Sequence, residues 1–218
     1  MARRRSRRIE AVINPLSGSV GPGALEEMSA LFEAQQIKAN VVAVEPGQLS
    51  DALKAAVAAG PDLLVVLAGD GTARAACQLS GMKGPPVAPL PGGTMNVLPK
   101  ALYGARDWKT ALVDTLEHGV EREIGGGSLE GHLFFVGAMI GSAALFAPAR
   151  EAARNHEIGQ AIEKARRAYG RAFSGHVRYQ LDDGRPARAR SISLICPLIS
   201  KAMEDDEKAI EVAALNPD

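Results

Sequence analysis

A carboxylate set between two glycines and followed by a hydroxyl stands directly after an apolar run: Leu63-Leu64-Val65-Val66-Leu67-Ala68 leads into Gly69-Asp70-Gly71-Thr72. Glycines let a backbone approach an anion closely. A helix starting near Thr72 would aim its unsatisfied N–H groups and the positive end of its dipole at the same place. That is the chemistry of a phosphate-binding turn, and Asp70 makes it more specific. A carboxylate facing a polyphosphate repels it unless a divalent cation lies between them, so the turn points to metal-nucleotide chemistry rather than plain anion capture.

Two further turns carry small and polar residues at comparable places. Asn14-Pro15-Leu16-Ser17-Gly18 follows the apolar segment Ile9 to Ile13, and Pro91-Gly92-Gly93-Thr94-Met95-Asn96 follows Val87 to Leu90. Together the three turns can form one nucleotide cleft. Backbone N–H groups would hold phosphates, the Ser17, Thr72 and Thr94 hydroxyls would donate to oxygens, and the Asn14 or Asn96 amide would orient ribose or phosphate. Each feature also has a plain structural use: the glycine turn as a tight connection, and each asparagine as a cap or Asx turn. The two commonest phosphate motifs are disfavoured. Arg74 stands where a G-x-G-x-x-G fingerprint needs its third glycine, and no G-x-x-x-x-G-K-[ST] occurs.

The elements that must position these turns alternate. Strands are expected at Ile9 to Ile13, Asn40 to Val44, Asp62 to Leu67 and Val87 to Leu90. Helices are expected at Ala24 to Gln35, Ser50 to Ala59, Thr72 to Leu79 and Trp108 to Glu117, with a further helical stretch interrupted at Pro99. Such alternation predicts a parallel sheet covered on both faces, with its ligand sites at the carboxyl ends of the strands. Past Ile124 the composition shifts. Gly125-Gly126-Gly127 reads as a turn or hinge, and Leu133 to Met139, Gly175 to Leu181 and Arg190 to Cys196 read as β segments. A boundary is therefore placed at residue 124, giving an α/β domain over 1–124 and a β-rich domain over 125–218. Asp182-Asp183-Gly184-Arg185 reads as a hairpin turn. Ile158, Ile162, Ala165, Tyr169 and Phe173 share one helical face, with Lys164, Arg166, Arg167 and Arg171 mostly elsewhere. That pattern predicts an amphipathic helix packed on a sheet, with a membrane-facing basic surface as the alternative.

Lys+Arg and Asp+Glu are both 25 among 218 residues, so the overall balance gives no support for nucleic-acid binding. Cys77 and Cys196 lack metal or redox spacing and fit reduced thiols in a cytoplasmic protein. The longest apolar stretch, Leu133 to Ala147, is broken by Gly137 and Gly141 and is shorter than the roughly 20 residues of a spanning helix, so no transmembrane segment is expected. The arginines at 3–5, 7 and 8 precede a strand, not a signal-peptide core; they fit a solvated tail or an attraction to anionic lipid headgroups. His118, His132, His156 and His176 show no metal spacing, and Glu204-Asp205-Asp206-Glu207 reads as a solvated charge run.

Taken jointly, Asn-Pro-x-Ser-Gly, Gly-Asp-Gly-Thr and Pro-x-Gly-Thr-x-Asn, in this order and spacing, resemble the catalytic domain of the diacylglycerol kinase and sphingosine kinase family, which is related to NAD kinases. The resemblance covers about residues 9 to 123 well and the later part more loosely. It implies a Rossmann-like first domain binding ATP and magnesium, and a β-rich second domain, here incomplete, that helps present a lipid hydroxyl. The expected activity is ATP-dependent transfer of the γ-phosphoryl group to a diacylglycerol-like or sphingoid lipid at the membrane surface. The resemblance assigns nucleotide contacts to Asn14, Pro15, Ser17, Gly18, Gly69, Asp70, Gly71, Thr72, Gly93, Thr94 and Asn96. Asp70 becomes the magnesium-side carboxylate, and Asp218 a weaker match to a residue binding a second, structural magnesium. A cytoplasmic protein, peripheral to the membrane or not and monomeric or homodimeric, fits the resemblance.

There are departures from the family pattern. Ala68 replaces the first glycine of Gly-Gly-Asp-Gly-Thr, and Arg74-Ala75 replaces an Asn-Glu pair, so a polar contact to the nucleotide or to the loop is expected to be missing, with a cation offered to the phosphates by Arg74 as the alternative. The Asp-Gly-Glu-like element that supplies the family's base has no match after Arg190, so the catalytic base is unassigned and the chain is expected to be a shortened form or to lack full activity. A non-catalytic nucleotide-binding module is the alternative. An NAD kinase is disfavoured by the lack of an Asn-Asn-Glu run.

Overall fold

The protein was analysed as a computed structural model that describes residues 8–45, 47–154, 157–172, 175–200 and 209–215. It divides into two compact units, Met1–Glu123 and Ile124–Asp218.

In the first unit, strands β1 (Ile9–Ile13), β2 (Ala39–Ala43), β3 (Leu63–Ala68) and β4 (Val87–Pro91) alternate with helices α1 (Ala24–Ala34), α2 (Leu49–Ala58) and α3 (Asp70–Ser80); α4 (Val97–Tyr103) and α5 (Trp108–His118) follow. All strand pairs are parallel, in the order β2-β1-β3-β4. The chain moves from β1 outward to β2, then crosses back to lay β3 on the other side of β1. The strand order therefore reverses between β1 and β3, where open α/β sheets leave a crevice at their carboxyl ends.

Side chains alternate across the sheet and feed two cores. Ile9, Ala11, Ile13, Val65, Leu67, Ala88 and Leu90 pack with Met28 and Phe32 of α1 and Trp108 and Leu112 of α5. Val12, Leu64, Val66 and Ala68 pack on the opposite face with Leu53 and Ala56 of α2 and Ala76 of α3. Central β3 is buried on both faces, which explains its unbroken apolar run. Pro89 and Pro91 donate no ladder hydrogen bond, and they lie on β4, an edge strand.

The second unit contains β5 (Gly127–Leu129), β6 (His132–Phe134), β7 (Gly137–Gly141), a 3₁₀ turn (Ser142–Phe146), α6 (Ala147–Arg154), α7 (Ile158–Ala172), β8 (Val177–Tyr179), β9 (Ala187–Ala189), β10 (Ser191–Ile195) and β11 (Glu211–Leu215). Its strands form an antiparallel sheet β11-β10-β7 and two hairpins, β5-β6 and β8-β9. The chain is thus an α/β protein with a β-rich second part.

Several expectations change here. Leu133 to Met139 is two strands, because β6 pairs back on β5 while β7 joins β10 in a different sheet. The β5-β6 turn holds Glu130 and Gly131 at positive φ, as a two-residue hairpin of this twist requires. Helix α6 and strands β5 and β9 were not anticipated. The turn at Asp182 holds: the Gly184 N–H donates to the Leu181 carbonyl at 2.8 Å, between β8 and β9. The expected packing face of α7 is wrong. Ala168 is buried, whereas Ile158, Ile162 and Tyr169 are exposed, because the helix packs on α6 and the 3₁₀ turn through its smaller side chains. Phe173, His156, the acidic run 204–207 and Asp218 lie outside the described residues.

Candidate functional site

Register brings the three turns to one edge. Ile13 stands opposite Leu67, and Leu67 opposite Leu90, so β1, β3 and β4 end almost level. The ladder then runs on into the turns. The Asn14 N–H donates to the Leu67 carbonyl at 3.0 Å, and the Gly92 N–H to the Ala68 carbonyl at 3.1 Å. The first and third turns are also joined directly. The Ser19 N–H donates to the Gly92 carbonyl at 3.0 Å, and the Ser19 hydroxyl to the Gly93 carbonyl at 3.0 Å. Sequence reasoning passed over Ser19 and Gly92. The only available signal was that both adjoin the motif residues.

Three glycines permit this approach. A Cβ on Gly93 would sit 2.6 Å from the Gly69 Cα, and one on Gly92 would sit 2.8 Å from the Ala68 nitrogen. On Gly18 it would meet the Thr94 hydroxyl oxygen at 2.9 Å. At Gly71, by contrast, a Cβ would meet nothing within 4 Å. Gly71 is the second residue of α3, so its N–H has no acceptor within the helix.

The helix begins at Asp70, two residues earlier than expected. Asp70 Oδ1 accepts the Leu98 N–H at 3.0 Å. The carboxylate thereby caps α4 from a neighbouring helix, while Asn96, the residue at the α4 cap position, makes no side-chain cap bond of its own. Asn96 is instead buried and left-handed, at φ 53°. Its Oδ1 accepts the Gly93 N–H at 2.6 Å and its Nδ2 donates to the Gly93 carbonyl at 2.8 Å. The Asn96 amide thus holds the Gly93 turn. Asn14 behaves similarly: its Oδ1 accepts the Leu16 N–H at 3.1 Å, an Asx turn.

The polar residues left facing outward are Thr94, which is exposed, and Ser17 and Thr72, which are half-exposed, beside the N-terminus of α3. Pro15 sets the first turn and is half-buried. Arg74 donates to Gln78 at 2.9 Å, one turn farther along α3. Among the described residues no three His, Cys, Asp or Glu side chains gather as a metal cluster. A magnesium ion in a nucleotide site needs less, since one or two carboxylates and the substrate phosphates suffice. The outward donors and the Asp70 carboxylate fit such a group.

Behind the site, burial pushes the Cys77 thiol on α3 up to about 11. Both cysteines are free, and Cys196 is raised as well by burial.

The diacylglycerol kinase catalytic domain matches residues 8–128, which takes in all three turns. The chain belongs to that family. The resemblance drawn from the turns therefore holds for the domain that carries them. Among solved structures, a diacylglycerol kinase from Bacillus anthracis str. Sterne superposes with a TM-score of 0.64 at 16% identity, covering 96% of this chain and 74% of the other. Two candidate diacylglycerol kinases from the same organism give TM-scores of 0.61 and 0.65 at 18% and 17% identity. These cover 87% and 96% of this chain, and 65% and 75% of theirs. At such identities the likeness is one of fold. No curated protein matches the chain. At the reversal point between β1 and β3, the glycine-lined turns bring backbone donors, hydroxyls and a carboxylate to one edge of the sheet.

Proposed function

We propose that this chain is an ATP-dependent lipid kinase, transferring the γ-phosphoryl group to a hydroxyl of a diacylglycerol-like or sphingoid lipid. The observation that carries this reading is the meeting of the Asn14–Gly18, Gly69–Thr72 and Gly92–Asn96 turns at the carboxyl edge of the sheet, beside the N-terminus of α3. In this reading the Gly71 N–H and the Ser17, Thr72 and Thr94 hydroxyls bind the phosphates. Asn14 and Asn96 act by holding the turns rather than by touching the nucleotide. Asp70 holds magnesium, which when bound offsets phosphate charge during transfer. Phosphoryl transfer depends chiefly on positioning and charge stabilisation, and that is what a rigid cluster of turns supplies. Unit 1 is assigned to the nucleotide and unit 2 to the lipid.

The test is transfer of labelled phosphate from ATP to a panel of diacylglycerol, sphingoid base and mixed membrane lipids. Asp70→Asn is the informative variant. Its amide oxygen can still accept the Leu98 N–H, so the fold is kept while the charge is removed. Transfer is expected to fall by about a hundredfold, and undiminished transfer refutes the metal role.

A second reading, nucleotide binding without catalysis, is favoured by one observation: the Asp70 carboxylate is already used to cap α4. Nucleotide binding with no labelled lipid from any acceptor, in this chain and in one extended past Asp218, would establish it. NADP formation would instead restore the NAD kinase reading.

A further inference from the structure

The two edges of the first-unit sheet are not alike. Along a strand, the N–H and C=O of one residue point to one side and those of the next residue to the other. Just past β2, the Val44 N–H donates to the Ile13 carbonyl of β1. Positions 40, 42 and 44 therefore serve the ladder to β1, and Ala39, Val41 and Ala43 turn their N–H and C=O groups outward. No described residue pairs with these outward groups. At the other edge, the Gly92 N–H donates to the Ala68 carbonyl of β3, so Val87, Pro89 and Pro91 are the outward residues of β4. Pro89 and Pro91 have no N–H to offer, and that edge is closed to a further strand. The β2 edge is open. Ala39-Asn40-Val41-Val42-Ala43 holds no charge and no proline, the usual devices that blunt an edge, and Val42 is 41% exposed.

We infer that β2 pairs antiparallel with β2 of a second copy of this chain, joining two four-stranded sheets into one across a two-fold axis. An axis normal to the sheet keeps every side chain on its own face, so residues that stand opposite one another must both be odd-numbered or both even-numbered. With Val41 opposite Val41 and Ala39 opposite Ala43, every outward N–H of each copy meets an outward carbonyl of the other. Between these bonded pairs Asn40 stands opposite Val42, and no pair sets like charges together. The backbone selects this occupant. A foreign strand would find no charged side chain on β2 to choose it, whereas a second copy brings the same spacing of donors and acceptors. The closed β4 edge limits the assembly to two. Head-to-tail addition of β2 to β4 would lack the N–H groups of Pro89 and Pro91, so the sheet cannot grow into a filament and the symmetry closes. The dimer goes beyond the kinase reading and does not require it.

The experiment is sedimentation velocity of the full chain over a range of concentrations, without nucleotide or lipid. A monomer–dimer equilibrium with no larger species is expected. Ala43→Pro removes an outward N–H and leaves the ladder to β1 intact, so it should raise the dissociation constant by about tenfold or more, with an unchanged circular dichroism spectrum. Val42→Lys sets two like charges beside the axis and should weaken the dimer to a similar degree, again with the spectrum unchanged. The register has its own readout. Opposite residues of an unbonded pair come within about 4.5 Å between Cα atoms, close enough for a disulfide, so oxidation of the Asn40→Cys, Val42→Cys double variant should give a 40–42 link between chains, identified by peptide mass spectrometry. A chain that stays monomeric at every concentration, leaving the edge to a different strand, overturns the proposal. So does a dimer that well-folded Ala43→Pro and Val42→Lys variants leave unchanged, a dimer without the 40–42 link, or an open-ended series of oligomers. A chain that transfers no phosphate can still dimerise in this way, and an active kinase that stays monomeric would fail the test.

Discussion

Gly18 and Gly93 are both small residues in the same cluster of turns, but different atoms enforce their size. A methyl group on Gly93 strikes the Gly69 backbone, which cannot turn aside, whereas one on Gly18 meets the Thr94 hydroxyl, which can rotate. Gly93→Ala is expected to cost about 1–3 kcal/mol and to weaken nucleotide binding by separating the β3 and β4 turns. Gly18→Ala should stay within about 1 kcal/mol. Urea denaturation and nucleotide titration of the two variants measure the contrast. Asn96→Ala removes both bonds to the Gly93 peptide and puts alanine in a left-handed backbone, so a loss of about 2–3 kcal/mol is expected in the same denaturation assay. The glycines and Asn96 were legible as motif members from their spacing. That Asn96 braces the turn was not, because its amide finds its partner only when the left-handed backbone at 96 folds the side chain back over Gly93.

Helix α5 shows how much of an element a single side chain can set. Asp107 accepts the Thr110 hydroxyl and the Thr110 and Lys109 N–H groups, which hold its carboxyl below the ordinary 3.8. Because the folded-state value is the lowered one, its contribution to stability is complete well above pH 3.8. That contribution is lost as the pH falls through the lowered value. Asp107→Ala should destabilise by about 1 kcal/mol at neutral pH and flatten the acid limb of the stability curve, as followed by thermal melts across pH. The start of α5 at Trp108 was legible because the cap residue is local to it. The start of α3 at Asp70 rather than Thr72 was not, since Asp70 is tied to α4 across 28 residues. Helix α7 misled for a related reason. Its periodicity identifies an apolar stripe correctly, but which stripe faces the protein depends on how close α6 and the 3₁₀ turn must come, and alanines allow the closer approach.

At the scale of the whole molecule, the two units meet in sequence at Glu123 and Ile124, and residues 119–126 belong to no helix or strand and are mostly exposed. Exposed chain outside regular structure is where a protease gains access. Brief trypsin treatment is expected to cut after Arg122 and release fragments matching the two units, read by mass spectrometry; survival of this bond while helices are cleaved would contradict it. The alternation of strand and helix was legible along the first 118 residues. The order β2-β1-β3-β4 was not, since any right-handed winding of the same elements yields the same alternation.

Local chemistry and periodicity were enough to reveal the parallel α/β class, the three turns and the carboxylate among them, because turns after buried strands are written in contiguous residues. Tertiary structure decided what those residues do for one another. It assigned Asp70 to the start of α4 and Asn96 to the Gly93 turn, and it broke one apparent strand into β6 and β7. It also turned the large side chains of α7 outward. Each of these depends on contacts between segments distant in the chain, where packing and hydrogen-bond satisfaction override local preference.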